Sequence, residues 1–388
     1  MKITNVEAWV VVPDLGSLSG RADEWQWTFV TIETDEGITG WGESSSSPRN
    51  GSLLTGAGVR AVREALIGED PADIERLWHK LFRRYTYMGS RGFPTTIISG
   101  IDIALWDIKG KATGRPVYDL LGGKMRDDIR MYANAWFSGC STPDDYAAAA
   151  KRTVDEGHDA MKMDPFLEMQ PFHTMYQDGQ ISAAGENLGC DITAAVRDAV
   201  GPDVEVLIDA HGHYNVKTAV RLANRLYDES QIDWFEEPLP PEGIEGLRSV
   251  RRQMRAPMCL GERLFTRWDY SQILHEGLTD FIMPDVTWTG GISELKKIAT
   301  MAETYYIPIS PHNAQGPGQI LGGAHVSMST PNFYRLEHAL DFKSACDHFM
   351  QEPFNWQGNK LILNDKPGLG IDLDMDAVRA DLHPDWVV

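Results

Sequence analysis

Three carboxylates close three consecutive short apolar runs: Asp209 in VEVLIDAHG, Glu236 in IDWFEEP and Glu262 in PMCLGER. The steps between them, 27 residues from 209 to 236 and 26 from 236 to 262, each suit one strand, loop, helix and loop unit. On successive strands of a parallel barrel these side chains would converge on one rim. Three hard oxygen ligands from separate strands, with positions left open for substrate, point to a divalent cation such as Mg2+.

The ends of the neighbouring runs carry further reactive groups: Lys162 and Asp164 in KMD, His211 beyond Asp209, Asp285 in MPD, His312 in SPH and Glu337 in LEH. Singly, each has an ordinary explanation, because an Asp before a loop often caps a helix and an isolated His is usually structural. Helix caps do not explain the whole series. The carboxyl ends of barrel strands form the open face where barrel enzymes place their chemistry, so an ionisable residue at nearly every equivalent position reads as an active site.

The elements that must position these residues show in the rhythm of the chain. Residues 1 to about 60 read as strands and turns, KITNVEAWVVV, WTFVTIETDEG and ITGWGE, with Asp35-Glu36-Gly37 as a hairpin-like reversal. A helical pattern follows to about 122, in which IISGIDIALWDIKGKATG sets Ile97, Ile101, Ala104, Leu105 and Ile108 on one face before Gly114 and Pro116 end it. From about 128, eight short apolar runs alternate with amphipathic stretches: IRMYANAW, DAMKMD, VEVLID, DWFEE, PMCLGE, DFIMPD, IPISPH and FYRLEH. The expected fold class is therefore α/β, a (β/α)8-type (modified TIM) barrel with an α+β capping domain. Three parts are expected: a capping domain over 1–125, a barrel over 126–355, and a segment over 356–388 returning to the capping domain. The spacing of about 45 residues from Asp164 to Asp209 exceeds one unit, so PFLEMQPFHTMYQDGQISAAGENLG is read as an insertion able to cover the rim.

Composition narrows the partners. The 388 residues exceed the roughly 250 of a closed barrel by enough for a second, smaller domain. With 36 Lys and Arg against 56 Asp and Glu, the net charge of −20 argues against nucleic acid or an anionic membrane. The four cysteines, Cys140, Cys190, Cys259 and Cys346, form no CxxC pair and read as reduced thiols of a cytoplasmic protein. The start, MKITNVEAWVVVP, reads as a strand rather than a signal peptide, and no apolar run approaches the roughly 18 residues of a membrane span. GPGQILGG at 316 lacks the context of a dinucleotide fingerprint, and GKATG at 110 is not a phosphate loop.

Taken in order, IDIALWDIKGKATGRPVYDLLGG at 101–123, KMD at 162–164, DAHG at 209, EEP at 236, GER at 262, MPDVTWTGG at 283, SPH at 310 and LEH at 336 resemble the enolase superfamily, within it the mandelate racemase subgroup. The resemblance spans nearly the whole chain. It implies Asp209, Glu236 (rather than Glu237) and Glu262 as Mg2+ ligands, Asp285 and His312 as a dyad whose imidazole is the base, and Glu337 bonded to the substrate in its enolate-like form. Lys162 would add positive charge beside the substrate carboxylate. Such chemistry has a physical logic, since a proton α to a carboxylate is weakly acidic and its loss creates a dianion that must be neutralised as it forms.

One departure bears on the reaction. Racemases of this subgroup carry a second Lys two residues after the first, and here that position is Asp164. His211, two residues after Asp209, instead resembles the acid of the sugar-acid dehydratases. The expected reaction is thus dehydration of an aldonate, of gluconate or galactonate type, to a 2-keto-3-deoxy acid. A racemase, epimerase or cycloisomerase is the alternative, followed by a member that binds a sugar acid without turnover. His211 has a competing reading as a group bonded to a ligand carboxylate, and Asp164, His213 and Tyr214 are candidates for substrate contact. Substrate selection is expected from the loops 13–21 and 44–50, where Arg21 and Arg49 could reach distal hydroxyls or a second carboxylate. Trp288 could line the pocket or pack, and His173 is a weaker candidate. A homo-oligomer, dimer to octamer, is what the resemblance implies.

Overall fold

In a computed structural model, the described residues are 1–15, 25–46, 51–170 and 176–387. Arg21, Arg49 and His173 lie outside them.

Three antiparallel strands open the chain, β1 (Ile3–Val11), β2 (Trp27–Thr34) and β3 (Thr39–Glu43), in the order β1-β2-β3. Their inner face packs on the helix Phe93–Thr113, where Ile97, Ile101, Ala104, Leu105 and Ile108 are all buried, as their spacing predicts. Gly114 ends that helix in the left-handed conformation, φ 68°. On its other side the helix meets the barrel, because the buried Asp102 accepts hydrogen bonds from Ser293 N (2.9 Å) and Ser293 Oγ (2.6 Å).

The barrel staves are β4 (Ile129–Asn134), β5 (Ala160–Met163), β6 (Glu205–Asp209), β7 (Trp234–Glu236), β8 (Met258–Leu260), β9 (Phe281–Ile282) and β10 (Leu336–Ala339). Neighbours from β4 to β9 pair in parallel. Single bridges, Ile282 to Ile309 and Ile309 to Phe333, carry the pairing to the run leading into β10, which pairs β4 and closes the ring. The seventh predicted run, IPISPH, is thus a stave of one bridging residue. Pro308 and Pro311 flank Ile309 and have no N–H to give a longer ladder.

Tyr132, Ala160, Leu207, Trp234, Cys259 and Met283 plug the barrel interior as one buried cluster. Because strand side chains alternate, the residues two positions on from five of them, Asn134, Lys162, Asp209, Glu236 and Asp285, stand on the same inward face one layer higher. At the opposite end, the fully buried Arg335 binds Glu205 (2.8 and 2.9 Å) and Asp159 (2.7 Å).

Two expectations are amended. AAGENLG is not part of an insertion: it opens the helix Ala183–Val200, so the extra chain ends near Ser182, whose hydroxyl caps that helix. Within the extra chain, Phe166 and Met169 are buried in the apolar layer rather than spread over the rim. The tail does not pass directly to the N-terminal sheet. It first forms the hairpin β11 (Asn355–Gln357) and β12 (Lys360–Ile362), which pairs antiparallel with β4. It then returns to the capping domain as expected: Ile371 O accepts Trp41 Nε1 of β3 at 3.0 Å, Leu382 bridges Val11, and Trp386 Nε1 donates to Ala8 O at 2.9 Å. No helix among the described residues is long and apolar enough to cross a membrane.

Candidate active site

Asp209, Glu236 and Glu262 end β6, β7 and the turn after β8, and one carboxylate oxygen from each lies within 4.8 Å of the others. All three are buried. Burial and the charge of Asp209 push Glu236 well above the usual carboxylate range, a repulsion that a divalent cation would relieve. The donor set, three hard oxygens with no thiolate, suits such an ion. Glu237, the other half of the EEP pair, turns away at φ 39° and accepts Gly261 N at 2.8 Å.

Lys162, only 2% exposed, contacts three carboxylates: Glu236 at 2.6 Å, Glu337 at 2.9 Å and Asp209 at 3.2 Å. Burial alone would lower its pKa, but Glu236 and Glu337 outweigh that and hold it well above its ordinary value. Glu337 also accepts Asn134 Nδ2 (2.7 Å) and Asn313 N (3.1 Å). Against the pull of burial, Lys162 and His312 keep its carboxyl below the ordinary value.

His312 Nδ1 bonds Asp285 Oδ2 at 2.6 Å, leaving Nε2 toward the cluster, 3.4 Å from Glu262. Burial opposes the charged imidazole, yet Glu337 and Asp285 raise its pKa to about 9. Trp288 lies beside the ring, centroids 5.2 Å apart, and donates Nε1 to Ser45 O at 2.9 Å, so it both packs and borders the base.

On the other side, His211 Nδ1 lies 3.1 Å from Asp164 Oδ2, and its Nε2 points to Asp209 at 3.4 Å. Burial opposes its charge, but Asp209 and then Asp164 raise its pKa. The residue adopts φ 47°, uncommon for a non-glycine, and its carbonyl is held by Arg263 Nη1 at 2.8 Å. His211 follows the third stave and His312 the seventh, so three staves lie between them either way round the ring and they flank the carboxylates from opposite sides.

Tyr214 stands differently from expectation. It is fully buried edge-on against Phe166 in the apolar layer between staves and helices, so packing is the role its surroundings give it. His213 is buried beside His211, ring centroids 5.9 Å apart. The structure also brings in Asn134, Asn313 and Arg263, which the sequence reading did not single out. Asn134 ends β4, two residues before the end of the apolar run IRMYANAW, so the run's apparent end at Trp136 hides it.

Residues 9–122 match the mandelate racemase/muconate lactonizing enzyme N-terminal domain, and 145–377 match the family described as enolase C-terminal domain-like. The chain belongs to the mandelate racemase/muconate lactonizing enzyme family of the enolase superfamily. Among its relatives, a D-gluconate dehydratase of Thermoproteus tenax is 36% identical over 92% of this chain and 72% of its own. A D-galactarolactone cycloisomerase of Agrobacterium fabrum is 34% identical over 99% of this chain and 100% of its own. A solved member of the enolase superfamily from Salmonella Typhimurium superposes with a TM-score of 0.90 at 31% identity, covering 97% of each chain. Members of this superfamily with different chemistries are thus about equally similar overall, and the local geometry has to discriminate between them.

Proposed function

We propose that this protein is a Mg2+-dependent acid-sugar dehydratase, a hydro-lyase that converts an aldonate of gluconate or galactonate type to a 2-keto-3-deoxy acid. The observation that carries the reading is the Asp164–His211 pair. A carboxylate stands where a racemase would place its second lysine, and it partners an imidazole able to deliver a proton.

Asp209, Glu236 and Glu262 would hold the Mg2+, which when bound supplies positive charge for the substrate carboxylate. His312, oriented by Asp285, takes the C2 proton, and the C–H electron pair moves into the enolate. Lys162 offsets the charge that develops, and Glu337 bonds the enolate-like acid. As the C3–O bond breaks, His211 gives its proton to the departing hydroxyl, so one water leaves. The enol then takes a proton at C3 as its C2 hydroxyl gives one up to solvent, which leaves the 2-keto-3-deoxy acid. A positioned base and acid each contribute about 10²- to 10⁴-fold.

The second reading, epimerisation or cycloisomerisation, shares the enolate and is favoured by the two imidazoles on opposite sides and by the cycloisomerase relative. Incubation with Mg2+ and a panel of aldonates and aldarates, with 2-keto acid as the readout, separates the two. Product from an aldonate supports dehydration; no keto acid from any acid sugar overturns it.

A further inference from the structure

Asp285 is held at both oxygens. Thr287 N and Thr287 Oγ1 donate to Oδ1, each at 2.7 Å. His312 Nδ1 and Gln319 Nε2 share Oδ2, each at 2.6 Å. The amide of Gln319 cannot turn over freely, because its Oε1 accepts Gln315 N at 2.7 Å.

Gln319 lies in the first turn of the helix Pro317–Met328, and that turn is fastened from the N-terminal sheet. Glu43, the last residue of β3 and fully buried, accepts Gly316 N (2.9 Å), Gly318 N (2.8 Å) and Gln319 N (3.1 Å). The glycines permit this approach. A Cβ on Gly316 would stand 2.9 Å from both carboxylate oxygens, and one on Gly318 would stand 2.6 Å from Glu43 Cβ. The GPG that fits no dinucleotide fingerprint is here the seat of a carboxylate. Two residues on, Ser45 O holds Trp288, whose ring lies against His312. The segment 43–45 therefore reaches both the imidazole and the carboxylate that orients it.

We propose that Gln319 is a positioning residue for the Asp285–His312 dyad and that Glu43 locks it in place, so that the N-terminal sheet sets the aim of the base. The proposal rests on the reading above, in which His312 takes the substrate proton. A carboxylate orients an imidazole only while it is itself held, and loss of such an outer partner typically costs about 10- to 100-fold in activity.

The test is Gln319→Met, of similar length but without the donor, read in two ways. The first is kcat and KM on the acid sugar that the unaltered enzyme turns over. The second is the low-field proton resonance of His312 Nδ1, assigned by its loss in His312→Asn. The expected result is a kcat lower by about 10- to 100-fold with KM within about twofold, and a displaced resonance. A kcat within about twofold of the unaltered enzyme, or an unmoved resonance, overturns the proposal. If Gln319→Met lacks a folded near-UV spectrum, Glu43→Gln carries the test. It sets an amide against the same N–H groups, and an unmoved resonance there is equally fatal. Should the unaltered protein turn over no acid sugar, the dehydratase reading fails, while the resonance still decides whether Gln319 positions the dyad.

Discussion

Asp164 and His211 meet at 3.1 Å across the ends of neighbouring staves, carboxylate oxygen to imidazole Nδ1. The contact fixes which nitrogen faces the substrate side and favours the protonated ring. Asp164→Asn keeps the shape but removes the charge. Dehydration in that variant is expected to fall by about 10- to 100-fold, while C2-proton exchange with solvent is retained. Parallel assays of keto acid formation and deuterium uptake check this.

Glu236 is crowded by Asp209 and relieved by Lys162, so the site is stabilised by added positive charge. At 100 times its Kd, Mg2+ is expected to stabilise the fold by about 2.7 kcal/mol, from mass action alone. Thermal unfolding with EDTA and with Mg2+ measures it. In Glu236→Gln the difference should nearly vanish.

At the far end of the barrel, Arg335 is entirely enclosed and binds Glu205 and Asp159. Arg335→Met takes from Glu205 its guanidinium and leaves Asp159 with Arg130 and Asn359, and is expected to cost about 1 to 3 kcal/mol by denaturant unfolding. Lying away from the catalytic face, it should leave kcat nearly unchanged.

Acid stability follows from the same cluster. Burial would raise Asp159, but Arg130 and Arg335 outweigh it and lower its pKa from 3.8 to about 2. A folded value below the unfolded one means that the contribution is present above pH about 4 and is lost as pH falls toward 2. Thermal scans across that window should show a shallower decline for Asp159→Asn than for the unaltered chain.

The strand-end residues were legible because each occupies the same place in a repeated unit, so Lys162, Asp164, Asp209, Glu236, Asp285, His312 and Glu337 could be read from rhythm alone. The resemblance then supplied their roles. Tyr214 escaped that rule: the left-handed turn at His211 breaks the two-residue alternation, so the direction of the next side chains is not readable from sequence. Gln319 was illegible for another reason. It lies 34 residues from Asp285, and its anchor, Glu43, lies 276 residues before it, so only the assembled fold brings the three together. The seventh run does form a stave, and its reduction to Ile309 follows from Pro308 and Pro311, which lack the N–H groups of a longer ladder.

The roles of the two histidines are tested most directly by turning over the aldonate substrate in deuterated water with Mg2+ and following C2 and C3 by NMR, for the unaltered enzyme and for His211→Asn. The unaltered enzyme is expected to release a 2-keto-3-deoxy acid carrying one deuterium at C3. His211→Asn should exchange the C2 proton without losing water. Release of the C2 epimer by the unaltered enzyme, or undiminished dehydration by His211→Asn, would contradict the assignment.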